Sequence, residues 1–327
     1  MRPISIHDSL PTCQSAHYPR AASLPVSIMS RIPDAQLRFL LPAAGVRGVA
    51  VHLDETWRSI AERAQYPAAA AELLGEAAAA AALLTGHAKV DGRLSIQLRS
   101  RGAIGTLFAE CTAAGTLRGI VRLNDGAQPL SRDLRALGAD ALLALTIENP
   151  GLGGGEPLRY QGLVALHSER LDGALEDYFR QSEQLPTRLL LACNGQRAAG
   201  LLLQKLPGEE GDEDGFRRAS ALFDTLGAEE LLALPPAEVV HRLFHEEAPQ
   251  LVGEKPLRFA CSCSRERVEG MLVSLGREEA DAAVDAGGGT ASVLCEFCGQ
   301  DYGFDAPQIA ALFAREAGAQ PAAPRLQ

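Results

Sequence analysis

LRFACSCSRERVEGMLVSLGREEADAAVDAGGGTASVLCEFCGQDYGF, residues 257–304, carries four of the chain's seven cysteines in two close pairs. These are Cys261-Ser-Cys263 and Cys295-Glu-Phe-Cys298, with 31 residues between them. Four thiolates from two short knuckles can close a tetrahedral Zn²⁺ site, which suits a soft d¹⁰ ion. A strand over Leu257–Ala260 delivers the first pair, and a helix starting near Ser264 leaves it. The helix N-terminus, with Arg265 and Arg267, would favour the thiolate form. The second pair sits on a CxxCG hairpin turn between strands Ala291–Leu294 and Tyr302–Phe304. Gly287-Gly288-Gly289 makes a turn, and Asp305 caps a final helix with Pro307 in its first turn. No His or carboxylate completes the set while leaving an open position, so catalytic zinc is not expected. The first knuckle is CxC, where an ordinary zinc ribbon uses CxxC. An oxidised CxC closes a small, strained ring that returns easily to thiols. Spacing alone leaves structural zinc and redox zinc equally open.

Upstream, the composition breaks at Pro207. PGEEGDEDG, residues 207–215, holds five acids in nine positions and no apolar side chain, which predicts a mobile linker. Short amphipathic helices follow around Phe216–Leu226, Ala228–Leu234 and Pro236–Phe244, with Leu222, Leu226, Leu231, Val239 and Leu243 apolar. Helices this short depend on packing against something else. Charge separates the same regions. The chain carries −10 overall, with +1 over residues 31–205, −8 over 206–253 and −5 over 254–316. The expected organisation is a leader at 1–30, a core domain at 31–206, an acidic helical linker at 207–253, a four-cysteine module at 254–316 and a tail at 317–327.

The core domain alternates irregularly between strands and helices. Arg38–Val51 reads as a loop feeding one strand, with Gly45 and Gly48 as breakers. Asp54 is the expected cap of a helix through Trp57 and Ile60. Pro67–Ala88 is an alanine-rich helix long enough to cross a membrane, but Glu72 and Glu76 lie inside it. Burial among close neighbours is the better reading. Leu94, Ile96 and Leu98 alternate with Ser95, Gln97 and Arg99 as a half-buried strand. Further strands are expected at Thr106–Glu110, Thr116–Leu123, Leu142–Ile147, Tyr160–His167, Arg188–Cys193 and Gly200–Leu206, with a helix at Leu171–Gln181. GLGGG, residues 151–155, is a flexible turn. The fold class is α+β: an N-terminal mixed sheet-and-helix domain, a helical linker and a small C-terminal zinc-binding domain.

The acid excess, a pI near 5.3 and 5% aromatic residues argue against nucleic acid as a partner. Met1–Ile28 has no apolar core of signal-peptide type and reads as a disordered extension or an upstream start, while Met29 opens a stretch that reads more like a natural start. Cys13 belongs to this leader. Cys111 and Cys193 fall in strand patterns and read as small buried apolar residues. His241 and His245 share a helical face that reads as solvated. No Ser/His/Asp order, phosphate loop or dinucleotide fingerprint stands out, so no catalytic residue and no enzymatic activity are expected.

CSCSRER…CEFCG resembles the redox-regulated chaperone family of heat-shock protein 33. LEDYFRQSEQLPTRLLL, Leu175–Leu191, is similar to that family's hallmark stretch, and ELLALPPAEVVHRLFHEE, Glu230–Glu247, to its linker. The resemblance runs from about Asp34 to Phe313. It implies an ATP-independent cytoplasmic holdase that binds unfolded or partly folded client proteins, with no membrane partner. Reduced Cys261, Cys263, Cys295 and Cys298 would bind one Zn²⁺. Oxidation would form Cys261–Cys263 and Cys295–Cys298 disulfides, release zinc, unfold the module and linker, and leave an active homodimer. Melting would expose Leu222, Leu226, Leu231, Leu234, Leu243 and Phe244. The alternatives are a zinc-ribbon-type binding module with purely structural zinc and, last, a thioredoxin-type CxxC oxidoreductase, which would need its CxxC near a βαβ start.

Overall fold

The computed structural model describes residues 33–88, 90–125, 130–151, 155–208, 212 and 214–319. The expected leader with Cys13, the tail beyond Ala319, Leu152–Gly154 of GLGGG, and Glu209, Glu210, Gly211 and Glu213 of the acidic run lie outside them.

The chain opens with β1 (Ala35–Leu41) and β2 (Val46–Leu53), an antiparallel pair turned at Pro42–Gly45. A strand therefore occupies what sequence alone reads as a loop. Its hydrogen-bond partners come from β2 and from a segment some two hundred residues away, which local pattern does not reveal. Gly48 is not a breaker but a hollow, since a Cβ there would stand 2.1 Å from the Phe39 ring. α1 (Glu55–Ala61) follows, and Asp54 does not cap it through its side chain. Asp34 does so from across the sheet, accepting from the N–H groups of Asp54 at 2.6 Å, Glu55 at 3.2 Å and Thr56 at 2.6 Å. Asp54 instead pairs with Arg58 at 2.6 Å. A remote carboxylate satisfies the orphan donors of the first turn as well as a local one.

Next come α2 (Ala68–His87), β3 (Arg93–Arg99), β4 (Ile104–Thr112), β5 (Thr116–Leu123), β6 (Leu142–Asn149), β7 (Leu158–Val164) and α3 (Leu171–Tyr178). α3 runs on as a π turn over Phe179–Glu183, ending at left-handed Gln184. β8 (Thr187–Cys193) and β9 (Ala198–Lys205) complete the core region. The linker supplies α4 (Gly215–Phe223), α5 (Ala228–Ala233) and α6 (Pro236–Phe244). β10 (Gln250–Pro256) and β11 (Arg258–Phe259) then lead to α7 (Arg265–Leu275), α8 (Arg277–Ala286), β12 (Thr290–Leu294), β13 (Asp301–Asp305) and α9 (Ala306–Ala319).

Among the described residues, besides the antiparallel β12-β13 hairpin, two large sheets result, ordered β10-β1-β2-β9-β8 and β11-β5-β4-β3-β6-β7. α2 lies between them, against β2, β8 and β9 on one side and β3, β4 and β5 on the other. Ala77 to Ala82 are all buried, and their small side chains let both sheets approach. A Cβ on Gly200 of β9 would meet Leu83 at 2.5 Å, and one on Gly119 of β5 would meet Leu74 at 3.0 Å. A helix apolar all round is thus the filling of a sandwich.

The first sheet is buried on both faces. Along β9, Ala198 and Leu202 face the α2 core, while Ala199, Leu201 and Leu203 join a second core beneath the linker helices. That second core sets Leu37, Phe39, Leu41 and Ala50 against Phe223, Leu226, Leu231, Val239, Val240 and Phe244, with Phe39 stacked on Phe244 at 5.9 Å. Leu222, Leu234 and Leu243 are only half-buried there. The described part of the acidic run is tied down: the Asp212 N–H donates to Ala43 O at 2.9 Å and its carboxylate pairs with Arg218 at 3.0 Å. β10, which sequence alone does not foresee, extends the first sheet along β1. At Leu257 the chain crosses to the second sheet, where β11 runs parallel to β5.

One charge is built into the sandwich. Glu76, on α2, is 4% exposed and pairs with Arg132. Burial outweighs that partner and raises its carboxyl from 4.5 to about 7. A carboxyl raised by folding takes up a proton in the native state, so its contribution to stability falls as pH rises from about 4.5 to 7. The loss is on the order of 3 kcal/mol. Glu76→Gln should remove this slope, seen as a smaller difference in denaturant midpoint between pH 5 and pH 8 than in the unsubstituted chain.

Candidate metal centre

The first cysteine pair leaves the second sheet directly. The Arg258 N–H donates to Gly115 O at 3.0 Å and the Ala260 N–H to Leu117 O at 3.1 Å, so Cys261 follows the last residue held by β5. Ser264 then caps α7, its hydroxyl accepting from the Arg267 N–H at 3.3 Å. The second pair occupies the turn between β12 and β13. There the Cys295 N–H donates to Gln300 O at 2.9 Å and the Gly299 N–H to Cys295 O at 2.7 Å. Gly299 closes this knuckle at φ +71°, a conformation that favours glycine.

These two knuckles bring all four sulfurs within 4.8 Å of one another. The Sγ atoms of Cys261 and Cys295 stand 3.6 Å apart, and those of Cys263 and Cys298 3.3 Å. A tetrahedral ion with Zn–S bonds of about 2.3 Å needs sulfur–sulfur edges of about 3.8 Å; these two edges fall a few tenths of an ångström short of that, and none of the sulfurs lies more than 4.8 Å from another. The donor set therefore fits a soft divalent ion. Its surroundings fit too: the Cys263 N–H points at the Cys261 sulfur at 3.4 Å, and the Tyr302 hydroxyl donates to the Cys263 sulfur at 3.1 Å. Such donors orient thiolate ligands and offset their charge. Partial burial, followed by the neighbouring sulfurs, pushes the Cys298 thiol up to about 12, and the Cys263 contact pushes the Tyr302 hydroxyl up to about 12.

The arginines act differently from the sequence expectation. Arg265 stacks over Phe304 at 4.2 Å and donates to Gly303 O at 3.2 Å. Arg267 braces the CxC loop, donating to Ser262 O at 2.8 Å and to its hydroxyl at 2.9 Å. Both hold the backbone around the sulfurs. Behind them lies a small core of Val268, Leu272, Ala280, Val284, Ala291, Phe304, Ile309 and Leu312. Asp305 caps α9 as expected, accepting from the Gln308 N–H at 2.8 Å, while the Gln308 side chain accepts from the Asp305 N–H at 3.0 Å.

The remaining candidates stand apart. Cys111 and Cys193 are buried against α2, and burial pushes Cys111 up to about 12 and Cys193 well above its ordinary value. His241 and His245 lie on an exposed face with ring centroids 5.8 Å apart. Among the described residues, the four cysteines are the one metal-capable group of three or more ligands. The hallmark stretch Leu175–Leu191 lies away from the sulfurs and faces the linker: Arg188 pairs with Asp224, and its guanidinium stands 5.6 Å from the Phe223 ring centroid. Sequence reasoning missed Tyr302 as a sulfur partner, because one tyrosine in a strand carries no signal of what it faces. It also missed every contact between the second knuckle and β4 or β5.

Comparison with known proteins agrees with this geometry. A family model described as Hsp33 protein matches residues 34–305. A 33 kDa chaperonin of Ectopseudomonas mendocina (strain ymp) is 44% identical over 286 residues, spanning 86% of this chain and 95% of that protein. A 33 kDa chaperonin of Pseudomonas aeruginosa (strain LESB58) is 43% identical over the same lengths. The crystal structure of a 33 kDa chaperonin, a heat shock protein 33 homolog from Thermotoga maritima, is similar in fold with a TM-score of 0.71. It is 21% identical, and the match covers 87% of this chain and 99% of that one.

Gly299→Ala tests the knuckle. A side chain at that φ costs about 1 kcal/mol, so the variant should hold a tetrathiolate metal about 5-fold more weakly in a chelator competition while thermal unfolding of the two-sheet core is unchanged.

Proposed function

The chain belongs to the Hsp33 family of chaperones, and from that membership we propose that it is a redox-regulated, ATP-independent holdase rather than an enzyme. The observation that carries this reading is the single four-sulfur cluster, half-buried and reachable by small oxidants, in a chain whose other described cysteines are buried and inert. In the reduced state Cys261, Cys263, Cys295 and Cys298 would hold one Zn²⁺. The ion would supply the attraction that lets four thiolates share the space, and with it folding free energy on the order of 10 kcal/mol. A reducing cytoplasm would keep this state populated.

Peroxide would take two electrons from each pair of thiolates, forming Cys261–Cys263 and Cys295–Cys298 and leaving as water. The sulfur–sulfur approaches of 3.6 and 3.3 Å each join one knuckle to the other. Pairing within each knuckle rests on the family resemblance. Disulfides cannot hold the ion, so the small core around Phe304 loses its staple, and residues 254–316 would melt as a module.

The linker, residues 207–253, follows for a physical reason. It joins the module through β10, an edge strand, and β11, two residues long. Once β11 leaves β5, the β1 ladder, the packing of α4–α6 and a few polar contacts such as Asp212 N–H on Ala43 O and Asp224 on Arg188 hold it. Departure of those helices would uncover Leu37, Phe39, Leu41, Leu201 and Leu203 together with their own apolar sides, a surface suited to unfolded or partly folded clients. The linker's acidic charge would keep the opened chain soluble. A homodimer in the oxidised state accords with the family. A module of net acidic charge is a poor fit to nucleic acid, and α2, the one membrane-length helix among the described residues, is mostly buried.

The test is zinc release measured beside aggregation of a chemically unfolded client. Peroxide with mild heat should liberate one zinc per chain and switch on suppression of aggregation. Cys261→Ser and Cys295→Ser should each lose the oxidant response. Zinc retained at doses that oxidise exposed thiols would favour a purely structural site, and zinc lost without client protection would refute the holdase.

A further inference from the structure

Both cysteine pairs are held by one strand. β5 takes the first pair by backbone pairing, Arg258 opposite Thr116 and Phe259 opposite Leu117. It takes the second pair by side chains. Arg118 stands 4.4 Å from the centroid of the Phe297 ring, and Arg122 pairs with Glu296. Phe297, between Cys295 and Cys298, also meets Phe108 of β4 edge-on at 5.6 Å. Arg63, beyond α1, donates to Cys298 O at 2.9 Å.

The seat under Phe297 is made of core residues. Glu110, 5% exposed, accepts from the Arg118 Nε–H at 2.9 Å, and Arg93 lies 3.7 Å from its other oxygen. This pairing holds the Arg118 guanidinium beside both rings, 6.0 Å from the Phe108 centroid and 4.4 Å from that of Phe297. Phe297 roofs the Glu110–Arg118 pair and keeps water from it, which strengthens the pair and the cation–π contact together.

We propose that Phe297 and Glu296 form a latch that seats the second cysteine knuckle on β4 and β5, and that this latch sets how readily the centre gives up its metal. The proposal rests on the metal-centre reading above. The module's own core and the Arg265 contacts bring the two knuckles together, and β5 adds a second hold on both of them. The metal and the latch are therefore two ties on the same movement, and loosening one leaves the other to carry it. Phe108, Arg118 and Arg122 are in this sense positioning residues for a site none of them touches. The latch also makes the two-sheet core a partner in sensing: its contacts decide how much oxidant or chelator the centre withstands.

The experiment uses the full, reduced, zinc-loaded chain and two readouts, zinc transfer to a chromogenic chelator without oxidant and zinc release at fixed peroxide. Phe297→Ala should release zinc about 3- to 10-fold faster in both, the ratio expected for loss of an aromatic pair, and Phe297→Tyr should restore the original rate. Phe108→Ala, remote in sequence from every cysteine, should match Phe297→Ala, and the double variant should add nothing further. Arg122→Gln, at a side chain 61% exposed, leaves the fold unthreatened and should accelerate release about 2-fold, as for a surface ion pair. Wild-type rates in both Phe108→Ala and Arg122→Gln would overturn the latch, as would strict additivity of Phe108→Ala and Phe297→Ala. If peroxide left zinc in place in the unsubstituted chain, the redox reading would fail, and the chelator arm would still decide the latch.

Discussion

A sheet with two apolar faces needs two covers, and the first sheet of this protein has one on each side. α2 covers the inner face with buried alanines, and its Leu83 lies so close to β9 that a side chain on Gly200 would collide with it. The helices of the linker cover the outer face, where Phe39 stacks on Phe244 and Leu201 and Leu203 meet the second core. These covers differ in how they are held. α2 is gripped by both sheets and cannot leave without unfolding the domain. α4, α5 and α6 are short, packed on one side, and continue into an edge strand. A buried apolar face under a weakly anchored cover is what a conditional binding surface requires.

Electrostatics mark the same division. Two of the linker's acids, Glu247 and Asp212, pair with Arg218 of α4 inside the linker itself, and Asp224 reaches Arg188 of β8. The exposed Asp224–Arg188 pair adds little, so it guides the linker into place more than it holds it there. At the cysteine module the arginines run the other way, from the core toward the knuckle, with Arg122 reaching Glu296, Arg118 Phe297 and Arg63 the Cys298 carbonyl. The core thus holds the linker by apolar packing and the module by a few directed contacts.

Much of this was legible in the residues. The alternation of Leu94, Ile96 and Leu98, the span of Thr116–Leu123 and the Pro236–Phe244 helix coincide with β3, β5 and α6, because each carries its own period and its own breakers. The four cysteines announced a shared site by spacing alone. What escaped was whatever depended on a distant partner. β1 and β10 lack strong patterns of their own and exist because they pair with each other. The cap of α1 comes from Asp34, outside the helix's own sequence, and Tyr302 gains its role only by facing the Cys263 sulfur.

By itself, then, the sequence determined the chemistry: four thiols able to hold one soft ion, an acidic helical linker of marginal independent stability, and an α+β domain rich enough in apolar residues to form a lasting core. Those properties follow from side-chain type and local spacing, which no tertiary contact alters. Only the tertiary structure decided where the linker helices rest, which face of the first sheet they conceal, and that one strand, β5, carries both cysteine pairs. Such facts belong to pairs of segments far apart in the chain. Burial and directed contacts are properties of the pair, and neither member encodes them alone.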